Sequence, residues 1–151
     1  MSGPKARMTM NENTEIRLTA MQLLERMFEV EMKFIQSGSD DVDALAEAFH
    51  PNVVVHEPGS LPYPGDWKGL DGIGALFHKM REVWSDMRVE GLTAAREGDT
   101  VFMACNLHLT CRTSGVAIKQ PFAEVLQFQG ERLIEATPFY YDTSEIVSAL
   151  R

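Results

Sequence analysis

No stretch of this 151-residue chain approaches the ~20 consecutive apolar residues that a membrane-spanning helix needs. The opening segment, MSGPKARMTMNENTE, carries charged and polar residues but lacks the apolar region of a secretory signal. It reads as a flexible arm over residues 1–15, with Met8 or Met10 as alternative starts. Cations are scarce, with 14 Lys and Arg against 22 Asp and Glu, for a formal net charge of -8. A surface that negative repels phosphate backbones, so nucleic acid is not an expected partner. The four histidines, at 50, 56, 78 and 108, show no HxH or HExxH spacing, and no paired-cysteine motif exists. No metal is expected. No phosphate-cradling glycine loop or nucleophile elbow is present. Neither cysteine sits beside a base in sequence, so nucleophilic catalysis has no support, and no cofactor is expected. Cys105 and Cys111 lie six apart in what reads as one strand, about 20 Å between Cα atoms. A disulfide needs less than ~7 Å. Two unbridged thiols fit a reducing cytoplasm.

What is there is ordinary in amount and specific in arrangement. The chain is 44% hydrophobic and 24% charged, which suits one globular domain over residues 16–151 with a real core. Residues 16–37 read as a helix, with Ala20, Leu24, Met27, Phe28, Phe34 and Ile35 at spacings of three and four. Glu31 falls on that stripe, as an edge residue reaching water or, alternatively, as a polar group facing a cavity. Ser37-Gly38 stops the helix and Asp40-Asp41 caps a second one, which His50-Pro51-Asn52 ends. Val53–Glu57 is a short strand. Residues 58–69, with three prolines and three glycines, form a loop carrying Tyr63 and Trp67, suited to the rim of a site. Asp71 caps a third helix striped by Ile73, Leu76, Phe77, Met80 and Val83, with His78 beside the stripe. The period then changes to two. Strands are expected over 87–96, 100–112, 116–128 and 132–141, with turns at Gly98, Gly115 and Gly130. Pro121 implies a bulge or an edge position in the third of these. Asp142-Thr143-Ser144 opens a closing helix. Three helices around one short strand, then four strands and a helix, predict an α+β fold: a curved antiparallel sheet with helices on one face.

Two acids stand out against this pattern. Val53, Val55 and Glu57 share one strand face, and Phe122, Glu124, Leu126 and Phe128 share another. If those faces look inward, both carboxyl groups face apolar surroundings. That placement costs free energy unless the acids are neutral or hydrogen-bonded. Each is therefore well partnered or there to do chemistry. For Glu124 the plain alternative is a pairing with Arg112, Lys119 or Arg132; for Glu57 it is a solvated strand end. His56 points opposite Glu57, unless Pro58 turns the strand end inward. Asp142 is either a helix cap or a pocket acid. His108, on the polar face of its strand, reads as an interface residue.

Taken together, Asp40-Asp41-Val42-Asp43-Ala44-Leu45, Phe49-His50-Pro51-Asn52-Val53-Val54-Val55-His56-Glu57-Pro58, Trp67-Lys68-Gly69-Leu70-Asp71-Gly72-Ile73 and the hairpins around Gly115 and Gly130 resemble the NTF2-like superfamily. The likeness is to its SnoaL-like and ketosteroid-isomerase-like members and covers about residues 18–150. It implies a cone, a curved sheet wrapped around N-terminal helices with an internal apolar cavity. In ketosteroid isomerases the general-base carboxylate ends the first strand just before a proline, the place of Glu57 here. A protonated acid stands in the oxyanion hole a few residues before the last hairpin turn, the place of Glu124, six residues before Gly130. The isomerase tyrosine of the first helix has no counterpart, since its place falls near Lys33 and Phe34; Tyr63 or Tyr140 would supply the phenol. SnoaL-like cyclases use an acid late in the sheet, which Asp142 matches loosely.

The resulting expectation is a cofactor-independent enzyme acting on an apolar carbonyl or hydroxyl compound by isomerisation, cyclisation or loss of water. Glu57, Glu124, Asp142 and His56 are the catalytic candidates. Tyr63, Trp67, Leu107, Leu109, Cys111, Phe122, Leu126 and Tyr140 are the candidate lining, and the outer sheet face would pair two copies into a homodimer. The alternative is a hydrophobic-ligand-binding or dimerisation module without catalysis.

Overall fold

Thr19 sets where the first helix begins. Its side chain accepts a hydrogen bond from the Gln22 backbone N–H (3.1 Å), and the Gln22 side chain accepts one from the Thr19 N–H (2.8 Å). This reciprocal box satisfies two of the helix's free donors and stabilises it by about 1 kcal/mol. The computed structural model describes residues 17–151, so the arm expected at 1–15 lies outside the described residues. Helix α1 runs Ala20–Ser37 and stops at Gly38, whose φ of +66° a side chain would strain. It buries Leu23, Leu24, Met27, Phe34 and Ile35. Asp41 caps the next element by accepting from the Asp43 N–H at 3.1 Å. That element is a 3-10 helix, Val42–Glu47, and not the longer α-helix expected. Six residues bury only Leu45 fully, and one anchor does not carry an α-helix of that length.

The chain is therefore free to extend earlier than proline suggested. Strand β1 covers Phe49–Glu57 and continues past Pro51 with a register shift against its neighbour between Phe49 and Val54. A short strand β2, Gly65–Lys68, lies inside the segment expected to be loop and pairs antiparallel with the end of β1. Helix α2, Gly69–Val83, starts at once after β2. Lys68 occupies its N-cap without a side-chain bond, and Asp71 lies in the first turn and not at the cap. Strands β3 (Trp84–Glu97), β4 (Thr100–Cys111), β5 (Ala117–Gln129) and β6 (Arg132–Tyr140) follow, and helix α3, Thr143–Ala149, closes the chain.

The six strands form one open sheet in the order β2-β1-β6-β5-β4-β3. It is antiparallel except where β1 lies parallel to β6, a departure from the purely antiparallel sheet expected. Register shifts on β3 between Trp84 and Asp86 and between Glu90 and Thr93 bend this edge. Gly91, at φ +68°, supplies the left-handed residue that such a bulge needs. Pro121 does not break β5. It pairs in register with Asn106, and its carbonyl accepts the Tyr141 N–H at 3.2 Å. In an antiparallel ladder the N–H and C=O of a residue point to the same neighbour. The missing N–H of Pro121 thus faces the side where β6 has just ended, and nothing is lost.

The concave face of the sheet receives α1 and α2. Phe77 sits at their junction, its ring 5.6 Å from Phe49 and 6.2 Å from Phe34. Arg26 ties α1 down by donating to the carbonyls of Glu131 (2.7 Å) and Glu47 (2.6 Å). Near the start of α1 the Arg96 guanidinium donates to the Leu18 carbonyl. These clamps hold α1 against the inside of a cone whose wall is the sheet.

Candidate active site

Alternation along three strands decides which side chains enter the cone. On β4, Met103, Leu107 and Leu109 face inward. On β5, Phe122 and Glu124 do. On β6, Pro138 and Tyr140 do. Register aligns them: Met103 opposes Glu124, Glu124 opposes Pro138, and Phe122 opposes Tyr140, with ring centroids 5.0 Å apart edge to face. Helix α1 contributes Met27, Phe28, Glu31 and Met32, and α2 contributes Leu76, Phe77 and Met80. The space is about 420 Å³, within the ~300–1,000 Å³ of small-molecule sites.

Three carboxyl groups share this space. Glu57, at the inward end of β1, is 7% exposed, and its Oε1 has no hydrogen-bond partner among the described residues. Burial pushes its pKa up to about 8 from the usual 4.5; the charge of Glu31 adds to this, and the Tyr140 hydroxyl offsets part of it. Burial alone pushes Glu31 up to about 7. Burial, then the charges of Glu31 and Glu57, hold Glu124 well above the usual carboxylate range. Glu31 and Glu124 keep some accessible surface, and both line the chamber. Desolvation disfavours the ionised form, and each ionised acid disfavours the next. The three titrate as a coupled group and hold at least part of their protons at neutral pH.

Phenols stand beside the acids. Tyr63 is 2% exposed, and the Trp84 indole N–H donates to its hydroxyl at 2.8 Å. Burial pushes Tyr63 up to about 12. Burial, followed by the charge of Tyr63, raises Tyr140 well above its usual 10. Both phenols therefore remain donors at every ordinary pH. The Tyr63 carbonyl also accepts the Trp67 indole N–H at 3.2 Å. Leu61 and Tyr63 are both buried, and of the 58–64 segment Tyr63 lines the chamber.

The structure brings together Glu57, Glu124, Tyr63, Leu107, Leu109, Phe122 and Tyr140 in one lining. It does not bring in five others. His56 lies on the outer face, its Nδ1 2.7 Å from Asp66 and its Nε2 2.7 Å from Glu135. Those hydrogen bonds raise its pKa above 6.5, and β1 stays regular to its end, so Pro58 turns nothing inward. Asp142 is a cap: its Oδ1 accepts from Ser144 N (3.0 Å) and Glu145 N (3.3 Å), away from the chamber. Trp67 braces Tyr63 from outside the lining. Cys111 is buried at the far end of β4, 3.5 Å from the Thr113 hydroxyl. Leu126 faces inward but is fully covered, between Val101 and Ala136 in the ladder. Nor are Glu57 and Glu124 on neighbouring strands, since β6 lies between β1 and β5.

The pairings weighed for Glu124 are taken up elsewhere. Arg112 donates to the carbonyls of Arg81 and Trp84, Arg132 to that of Ala46, and Lys119 lies 3.4 Å from Glu90. His108 is also engaged on the outer face, 2.7 Å from Glu90. Glu31 is the residue that the edge-of-stripe reading misplaces. Its signal was its spacing, four after Met27 and three after Phe28, both of which line the chamber.

This six-stranded cone with an internal acid-bearing chamber is an NTF2-like fold. The sequence pattern of the SnoaL-like domain matches residues 24–136, and the chain belongs to that family. Among solved structures, it is similar to an NTF2-like protein from Burkholderia xenovorans (15% identity, TM-score 0.74, covering 90% of this chain and 100% of that one). It is also similar to a protein of ketosteroid-isomerase-like fold from Catenulispora acidiphila in complex with trimethylamine (14%, 0.67, 85% and 91%). A third is TerC, co-crystallised with polyporic acid (17%, 0.68, 85% and 97%). No curated protein matches the chain. Among the described residues, no helix is long and apolar enough to cross a membrane.

Proposed function

We propose that this protein is a cofactor-independent enzyme of the isomerase, cyclase or dehydratase kind, using carboxyl acid–base chemistry on an apolar carbonyl or hydroxyl compound. The observation that carries this reading is the meeting of Glu57, unpartnered at Oε1, with Glu124 in one apolar chamber. Glu57, pushed up to about 8, is a general base matched to near-neutral pH, where proton-transfer driving force and available base are balanced. It takes a proton from the carbon beside a carbonyl or a leaving group. Glu124, held neutral by its surroundings, donates a hydrogen bond to the oxygen on which charge develops. A carboxylic acid kept neutral for this purpose is a known use of burial in a related isomerase. In a dry chamber such a donor stabilises the transition state by about 3 kcal/mol. Tyr140, beside Glu57, stands in for the phenol missing from α1.

Several further observations support the partners of this reading. Small molecules are bound in two proteins of similar fold, trimethylamine in one and polyporic acid in the other. The outer sheet face carries an apolar ladder, Phe102 opposite Val125 and Ala104 opposite Ala123 opposite Phe139, with Phe102 and Phe139 about half exposed. A second copy covering that ladder gives a homodimer. Cys105 and Cys111, both free and buried, fit a reducing cytoplasm.

The test is Glu57→Gln, assayed against apolar carbonyl compounds first selected by thermal shift. Turnover is expected to vanish while the variant melts no lower than the parent. Full activity in the variant on a genuine substrate removes Glu57 as the base and the reading with it.

A further inference from the structure

The acids of the chamber outnumber what the proposed reaction uses. A base and an oxyanion donor account for Glu57 and Glu124. Glu31 has no part in that scheme, yet α1 carries it into the same space between Met27, Phe28 and Met32. No cation faces these acids from within. The one basic residue of the lining is Arg88, which is exposed and lies 3.2 Å from Asp86 on its own strand. Tyr63 and Tyr140 are the other titratable side chains in the lining, and both stay neutral. Independently of the cluster, Glu57 is nine-tenths buried, turned into the chamber, and has one oxygen without a donor. A buried acceptor left alone is destabilising, and a bound donor relieves it.

Resting on the enzyme reading above, we propose that the substrate is an apolar or aromatic compound bearing a protonated amine, which Glu31 and the neighbouring chamber acids receive as counter-ion. Three features of the chamber and of the chain point to this class over a neutral one. An ammonium supplies both the N–H donor and the charge that the acids lack. Phe28, Phe77, Phe122, Tyr63 and Tyr140 put aromatic rings around the space, and ring faces attract cations. The net charge of -8 enriches cations and repels anions near any opening.

Binding then has a proton signature. Below the values of about 7 and about 8 at which Glu31 and Glu57 ionise, an arriving ammonium must expel a carboxyl proton to form its ion pair. The probes are N,N-dimethylbenzylamine, protonated at neutral pH, and its carbon isostere isobutylbenzene, titrated into the full chain by calorimetry. The expected results are at least a tenfold preference for the amine at neutral pH and, near pH 6, release of about one proton per amine bound, read from heats in buffers of different ionisation enthalpy. Glu31→Gln should lower amine affinity at least fivefold and leave that of isobutylbenzene unchanged. Amine affinity no better than that of isobutylbenzene, whether both bind or neither does, overturns the proposal, as does amine binding without proton release. The two readings fail separately. Amine preference with no turnover of any amine-bearing carbonyl compound retains the cation site and removes the enzyme. Turnover of neutral carbonyl compounds without amine preference does the reverse.

Discussion

Replacing Glu57 with Gln should make the protein more stable, and by an amount that grows with pH. In the folded state this carboxyl keeps its proton up to about pH 8, whereas an unconstrained glutamate releases it near 4.5. Below 4.5 the group is neutral in both states and costs nothing. Between 4.5 and about 8 the folded state binds more protons than the unfolded one, so stability falls as pH rises. Above about 8 the group is ionised in both states and the loss is constant. Each pH unit between the two values corresponds to about 1.4 kcal/mol, so the full loss is about 5 kcal/mol. The effective dielectric of a protein interior returns part of this, and about 2–5 kcal/mol is expected. Gln keeps the shape and cannot ionise, so it escapes the loss. Glu31 and Glu124 still titrate in the variant and slope in the same direction, so only the difference between the two proteins isolates Glu57. Urea unfolding at about pH 5 and about pH 9 measures it, with a midpoint gap widening by about 1 M or more at an m-value of ~2 kcal/mol/M. A gap unchanged to within about 0.5 kcal/mol between those conditions would show that Glu57 is not desolvated. The acid–base chemistry argued from its burial would then have no base.

Two other perturbations probe the frame around the site. A Cβ at Gly74 would lie 2.6 Å from Val42 Cγ1 and 3.5 Å from Phe34 Cζ, so Gly74→Ala should destabilise by about 1–3 kcal/mol despite alanine's better helix propensity. Adding Val42→Ala should recover much of the loss; a higher melting temperature for the single variant contradicts the close approach of α2 to the 3-10 helix. Phe139→Arg places a charge at the β6 end of the outer apolar ladder and should convert a dimer to a folded monomer by light scattering, and an unchanged dimer mass would locate the pairing face elsewhere.

The two central acids were legible because strand alternation is strict. A residue two places from Val55 must share its face, and so must one two places from Phe122, and the register left both intact. The capping roles of Thr19 and Asp41 are equally local. The lining was less legible. Leu126 has the right face and the wrong depth, because depth depends on where the sheet bends and what α1 covers. Cys111 has the right alternation but sits at the end of β4 near the hairpin, beyond the chamber. His56 and Asp142 carry chemistry-bearing groups whose partners, Asp66, Glu135 and the first turn of α3, come from strand pairing or from a helix that begins where β6 stops.

Sequence by itself thus determined the alternation: which residues share a face, and that two carboxyl groups stand among apolar neighbours. It did so because these follow from backbone geometry within a few residues of each other. Only the tertiary structure decided that a third acid joins them. Glu31 lies at the margin of its helix's apolar stripe, where side chains meet either water or an interior, and the outcome is set by the bulged sheet that curves around α1 from more than fifty residues away in sequence.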